Sequence, residues 1–582
     1  MVYKYDSLLP PGQIRLLKII SGTQNAVVSS HMSVVNLDDN PTYKCLSYTW
    51  GEPGGDKTDE IWSKPSQTIL IDGFEMHIRQ NLYNALIALP ITRQELLSDE
   101  NVVLRDKAFA SCSFKDSELL AMTRFFTDHA WFGRTWTLQE MWLAREMTFM
   151  CGTIYASVDV ILAGSSIAHD SYSSRSVTED IQRTPAITWL MNFTYDLIAK
   201  LRKEVDGTSP SPLGFEVDYH RARHATDPRD KVYGLLAISD TTTADNYMEP
   251  VVADYSKPVR EVFSIAAAHC LLSTIGWRGL SYIGDRSRYR IPDLPSWVPD
   301  YTQAIPWRLL QRRSEDTFKT ATHQQVCIEY DINSPYTICS PYSYFDTITA
   351  ATTAYWEDIE GYSQMIEILN LALNPFPVKT SGGDNVLSVM ARTLTADQAG
   401  IYDYDSYDFV GQFGEMTYGM LWLSISKNPE MVYQLLKNPE ASLSKALFSI
   451  GIQDRGDLLP SLLHPYRQIY KTEEQMELES KPTESQDQSL KARTSLIQLD
   501  WGSASHKRSL FRTKKGHLGL APQTIQVGDE VGILQGAEVP HVFRRDSGSE
   551  TSLSLVGDAY VYGIMHGELE SEGLEFTRVQ LV

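Results

Sequence analysis

The chain has 582 residues, too many for one hydrophobic core, and its 42% hydrophobic and 21% charged content is ordinary globular material, not a disordered polymer. Lys and Arg total 52 against 73 Asp and Glu, a net charge of −21 that repels phosphate backbones and anionic lipid heads, so nucleic acid is excluded as the main partner. No run of about 18 apolar residues predicts a membrane span, the opening MVYKYDSLLPPGQ lacks the apolar core of a secretory signal, and six cysteines without a C-x-x-C pair read as buried free thiols of a reducing, cytoplasmic compartment.

In chain order, QIRLLKII (13–20) follows a Pro-Pro break and reads as a first strand. YKCLSYTW (43–50) reads as a buried strand ended by GEPGG, and TILIDG with EMHI as a hairpin about Asp72-Gly73. Asn81 caps a helix whose Leu82, Ala85, Leu86 and Leu89 fall on one face, and ELLAMTRFFTDH (118–129) has a second such face at Leu119, Met122, Phe125 and Phe126. A helix over Thr135–Glu146 and the strand MTFMCG follow, so strands alternating with helices predict an α/β layer domain. Asp227-Pro228 starts a helix for KVYGLLAIS. Ser256 and Pro258 start another, with Val259, Val262, Phe263, Ala266 and Cys270 along one side, and LPSWVPDY (294–301) closes the middle region. Residues 472–494 are polar linker text. The short runs in GHLGLAPQTIQVGDEVGILQG and LVGDAYVYGIMHGEL, broken by Gly-Asp turns, describe a β module.

The phosphate loop, the dinucleotide fingerprint, the zinc-protease motif and the nucleophile elbow are all missing. His220 and His224, four apart, would share a helix face that could take a metal; with Arg221 and Arg223 between them and no cysteine near, a solvated face is the preferred reading and no metal is expected. In RTWTLQE (134–140), Trp136 and Glu140 are one helical turn apart. That spacing sets an aromatic face beside a carboxylate, which suits stabilising positive charge at a ribose carbon during N-glycosidic cleavage. The alternative is equally simple: Trp136 fills the core and Glu140 pairs with Arg134 or Arg145.

Several segments together resemble the fungal heterokaryon incompatibility (HET) family. QIRLL, YKCLSYTWGEP (43–53) and NLYNAL (81–86) are similar to the opening of a HET domain, and RTWTLQE to its Arg-x-Trp-x-x-Gln-Glu signature. DPRDKVYGLL, LPSWVPDY, RTLTAD and GDAYVYGIMHGE resemble blocks of full-length members. The resemblance implies non-self recognition and programmed cell death by protein–protein assembly, through self-assembly or protein partners. HET domains are distantly similar to TIR domains, some of which hydrolyse NAD. That likeness implies Glu140 as catalytic carboxylate, Trp136, Tyr48, Trp50 and Arg134 as ligand-binding, and NAD as a substrate, with no bound cofactor. One departure stands out: between Asn81 and Arg134 there is no Trp-Ile-Asp-Ala strand and no Cys-Ile-Asn-Gln, so the HET core is shortened. A skipped exon or a degenerate, inactive paralogue would each produce it.

The expected layout is a TIR-like α/β HET core over 1–165, a helical region over 166–310 and a mixed α/β region over 311–470. An acidic linker over 471–494 and a β-rich module over 495–582 complete it.

Overall fold

In the computed structural model of the chain, the described residues are 9–46, 67–86, 116–173, 190–200, 210–241, 248–303, 318–353, 367–372, 386–397 and 507–582, with short gaps inside these stretches. The chain divides into two compact units, one of Met1–Ser211 with Tyr219–Asp240, the other of Pro212–Asp218 with Thr241–Val582.

The first unit opens with four strands in succession: β1 (Gln13–Ser21), β2 (Ser29–Asn36), β3 (Gln67–Ile71) and β4 (Phe74–Ile78). They form one sheet in that order, antiparallel at β1–β2 and β3–β4 and parallel at β2–β3. The predicted hairpin is present: Asp72 and Gly73 both take left-handed φ, 53° and 84°, the pair a two-residue turn of this hand requires. Alternation puts Ile69 and Ile71 on one face, with Met76 opposite Ile69 and Ile78 two residues further along β4 on the same face, and these pack with Val28, Leu17, Ile19, Met32 and Leu86 as a small core. Against the expected alternation of strand and helix, β1–β2 and β3–β4 are antiparallel pairs; residues 47–66, between β2 and β3, lie outside the described residues. Tyr43, Cys45 and Leu46 have no regular structure, and Tyr48 and Trp50 lie outside the described residues, as do Asn81, Ala85 and Leu89.

Next come α1 (Asp116–Asp128), α2 (Thr135–Leu143), the hairpin of β5 (Thr148–Cys151) and β6 (Ile154–Ser157), and α3 (Val158–Ser173). Phe126 of α1 is buried, and its ring lies 4.9 Å from Phe132 and 6.0 Å from Phe193, so the predicted apolar face does line a core.

In the chain's middle are α4 (Leu213–Tyr219), α5 (Asp230–Tyr233) and α6 (Val259–Leu271). KVYGLLAIS is not one helix as expected; α5 is a single turn ending at Gly234, and a 3-10 turn over Leu236–Ile238 follows. The one-sided stripe expected for α6 is also too narrow, because every residue from Val262 to Leu271 is buried. Its neighbour α4 approaches so closely that a Cβ on Gly214 would lie 2.1 Å from the Cβ of Cys270. Of the predicted buried thiols, Cys270 is buried, Cys327 and Cys339 are half-buried and Cys45 is exposed.

The remaining strands build the second unit: β7 (Glu329–Tyr330), β8 (Ile338–Ala351), then after α7 (Val386–Leu394) the strands β9 (Arg508–Thr513), β10 (Leu518–Pro522), β11 (Glu530–Leu534), β12 (His541–Arg545), β13 (Ser552–Asp558), β14 (Tyr560–Val561) and β15 (Thr577–Leu581). Their order is β11-β12-β13-β15-β8-β9-β10-β14, and β11 also pairs with β8, which closes β11, β12, β13, β15 and β8 into a ring. The fold is therefore mixed α/β, with helices in the middle of the chain and a β-barrel region at its C-terminal end. Residues on both sides of the predicted linker contribute to this one sheet.

Candidate functional site

Helix α2 carries the Arg-x-Trp signature, and its position is set by buried polar groups from two later segments. Arg134 precedes the helix in an extended conformation and supplies no side-chain cap. Its orphan donors are met from outside: Thr135 N donates to the His224 carbonyl at 3.0 Å, and the Thr135 hydroxyl donates to the same oxygen at 3.2 Å. The Thr137 hydroxyl closes the turn onto the carbonyls of Arg134 (2.8 Å) and Trp131 (2.9 Å).

The segment HRARH around His224 is not the solvated helix face the sequence predicts. His220, Arg221 and Arg223 are exposed by only 1%, 2% and 1%. Their burial follows from what they bind. Arg223 Nη1 donates to the Phe132 carbonyl at 2.7 Å and Nη2 reaches Asp196 at 3.4 Å, while His220 Nε2 sits 3.6 Å from the other Asp196 oxygen. Desolvation lowers the Arg223 pKa and the Asp196 charge opposes that shift. Lys231, also buried, donates to the carbonyls of Arg221 and Arg223 and so holds this loop in turn. His224 is exposed and the segment is a turn, so the two histidines do not share a helix face, and no metal-ligand group forms among the described residues.

The far end of α2 is held the same way. Buried Lys200 donates to the carbonyls of Trp142 (3.1 Å) and Ala144 (2.8 Å), placing a cation against the negative end of the helix. Ala144 is extended, so the helix ends at Leu143, short of the predicted Glu146. Gln139 donates to the Tyr233 carbonyl at 3.0 Å, and a Cβ on Gly234 would come within 2.9 Å of the Thr135 Cγ2. RTWTLQE and DPRDKVYGLL, far apart in sequence, are thus interlocked in one unit. The Asn192 sequon is buried too, and its amide donates to the Tyr219 carbonyl at 2.5 Å.

On α2, Trp136 is half-buried and Glu140 is exposed, with no hydrogen bond or ion pair to Glu140 among the described residues. Neither Arg134 nor Arg145 pairs with it. Arg134 is half-buried. The structure thus places Trp136 and Glu140 on one clamped helix and Arg134 at its N-terminal cap, with the carboxylate reachable from solvent. Asp196, Lys200 and Lys231 escaped the sequence reading, because a buried charge in a helix looks the same in sequence as a solvated one. The only available signal for Lys231 was its place inside DPRDKVYGLL.

The second unit has its own buried polar group. Arg508 Nη2 donates to Asp558 at 2.7 Å with side chains 0% and 2% exposed, and His541, the cross-strand partner of Asp558, is fully buried. A groove of about 200 Å³ lies elsewhere in this unit, lined by Trp277, Val326, Gly536 and the ion pair Arg278–Glu538.

Compared with known proteins, residues 462–576 match the family described as the Het-6 beta-barrel domain. Over 60 residues the chain is 40% identical to "Heterokaryon incompatibility protein 6, OR allele" of Neurospora crassa, a stretch covering 10% of this chain and 9% of that protein. No solved structure matches. Over these two stretches, each a small part of its length, the chain is similar to fungal heterokaryon incompatibility proteins.

Proposed function

We propose that this protein acts in fungal non-self recognition, signalling programmed cell death from the cytoplasm by protein–protein assembly. The observation that carries the reading is the Het-6 beta-barrel match at 462–576. The contact of RTWTLQE with DPRDKVYGLL supports it, since Gln139 donates to the Tyr233 carbonyl and so ties the two segments that resemble HET blocks to one another. The test is inducible expression in a fungal strain lacking the gene, followed by fusion with strains of like and unlike genotype and vital-dye scoring of the fused compartments. Death confined to unlike fusions is the expected result. Unlike fusions that stay viable at verified protein levels remove the reading and leave the inactive-paralogue alternative.

A second reading, NAD glycohydrolysis, is favoured by one feature: Glu140 is exposed and unpaired among the described residues, one turn from half-buried Trp136 on a helix held at both ends. In it, water adds to the ribose carbon and releases one proton to solvent, the C–N bond breaks and nicotinamide leaves as a neutral molecule, while Glu140 stabilises the developing cation. A TIR-like arrangement of the core, with Tyr48, Trp50 and Arg134 near the nucleotide, belongs to this reading. Nicotinamide release by the purified chain, abolished in Glu140→Gln, is the expected outcome. No release from either protein rules it out, and death that persists in Glu140→Gln assigns killing to assembly alone.

A further inference from the structure

The ring of the second unit is closed by a strand from far upstream. β11, β12 and β13 are consecutive in sequence, and β15 adds to β13 in parallel at Ser552–Gln580 and Leu553–Leu581. These four strands leave two edges, one on β11 and one on β15. Both are covered by β8: Ile338–Tyr342 pair antiparallel with β15, and Tyr342–Thr347 with β11. Tyr342 sits at the crossing, opposite Leu534 on one side and Thr577 on the other. Beyond it, Ile348 to Ala351 continue the strand onto β9. Neither closing strand lies inside residues 462–576, where the family match falls.

We propose that the C-terminal barrel is a strand acceptor whose captive occupant is residues 338–351 of this same chain, so that the folding unit carrying the family match begins upstream of Ile338 rather than at 462. Three observations support it independently. The first is burial: Phe345 and Ile348 of β8 are 6% and 0% exposed and belong to the same core as Phe511, Val531, Ile533, Val542 and Val561. Removing β8 would open that core to water and strip two ladders of their partners at once. The second is fit: Gly532 of β11 lies under the Tyr342 ring, where any Cβ would come within 2.0 Å of Cε2, so the seam is shaped to this side chain. The third is reinforcement from neighbouring upstream segments. Trp277 Nε1 donates to the Gln535 carbonyl at 2.8 Å, Ser296 N to the Val582 carbonyl at 2.7 Å, and Thr320 N to the Glu538 carbonyl at 3.1 Å. Main-chain pairing supplies the affinity and the alternating side chains supply the register, as when a strand is added to an open sheet edge. This inference stands apart from the functional reading and survives its failure.

Hydrogen exchange on the intact chain tests it. Ile348→Ala removes buried apolar volume from β8 alone, and Tyr344→Ala removes a side chain 51% exposed on the same strand. If the ring is one cooperative body, Ile348→Ala speeds exchange of the slow amides of β9, β11, β12, β13 and β15 together, by roughly 30- to 1,000-fold, and Tyr344→Ala leaves them within about twofold. Acceleration confined to β8, no acceleration at all, or equal acceleration in Tyr344→Ala each overturns the proposal. Co-expression as two chains, 1–484 and an affinity-tagged 485–582, gives a second reading. Stoichiometric co-purification that is lost with Ile348→Asp is expected; a short chain that is soluble and protected by itself contradicts it.

Discussion

Lowering the pH from 7.5 to 5 should destabilise the second unit through a single side chain, His541. Its ring is 0% exposed, neither ring nitrogen has a hydrogen-bond partner among the described residues, and burial pushes its pKa from 6.5 down to about 4 against the weaker pull of Asp558. The unfolded chain takes up this proton near pH 6.5 while the folded chain refuses it until about pH 4. Stability is therefore full above 6.5 and drains away as pH falls towards 4. At about 1.4 kcal/mol per pH unit the full loss is about 3 kcal/mol, and about 2 kcal/mol of it has gone by pH 5. Carboxylates also titrate in this range, so the informative quantity is the difference between wild type and His541→Leu. Leucine has a similar volume and no titrating nitrogen. His566, whose pKa is raised by the hydrogen bond it donates to Asp397, works in the opposite sense, stabilising below 6.5 and losing its effect as pH rises. It is present in both proteins and cancels. Urea unfolding at pH 7.5, 6, 5 and 4, monitored by exchange of β11 to β13 amides, should show wild type losing about 2 kcal/mol more than the variant by pH 5. Parallel pH profiles for the two proteins would refute the argument.

Replacing Arg223 with Met removes the buried cation beside Asp196 and the donor to the Phe132 carbonyl, and should cost the first unit about 3–5 kcal/mol, read as faster exchange across residues 135–143. Arg508→Met should cost the second unit a similar ~3–5 kcal/mol in denaturant unfolding by leaving Asp558 buried without its cation. Gly532→Ala forces the Tyr342 ring aside and should lower the barrel's stability by about 1–3 kcal/mol in a thermal scan. Glu140→Gln, at an exposed position without partners among the described residues, should stay within about 0.5 kcal/mol of wild type by the same measure. Any loss of activity in that variant then reports chemistry rather than unfolding.

Local signals carried much of this fold into the sequence. QIRLLKII, the Asp72-Gly73 hairpin, ELLAMTRFFTDH and the strand TFMC all form where short-range patterning places them, since turn chemistry and side-chain period act over a few residues. The C-terminal β module was legible for the same reason. What the pattern could not supply was partnership. Apart from the two-residue β7, the strands that pair with β8 lie over 150 residues downstream, and no periodicity within 338–351 says which edges it will cover. The polar residues of HRARH misled in the complementary way, because charge composition predicts exposure unless the matching acceptors are known. For Arg223 those acceptors are the main-chain carbonyls at 132 and 134, beside the Asp196 carboxylate, and main-chain atoms leave no trace in composition.

That same distinction decides how substitutions in DPRDKVYGLL should be interpreted. Lys231 and Tyr233 reach α2 through backbone atoms and relayed contacts: Lys231 fixes the carbonyls of Arg221 and Arg223, Arg223 fixes Phe132 and Arg134, and the Tyr233 carbonyl receives Gln139. A change at Lys231 therefore displaces the start of the helix bearing Trp136 and Glu140 without altering either residue. A purely local role for the segment would confine the damage to 220–235. Lys231→Met should instead raise exchange at Thr135 to Thr137 as well, and wild-type protection there would show that the two segments are neighbours rather than one device.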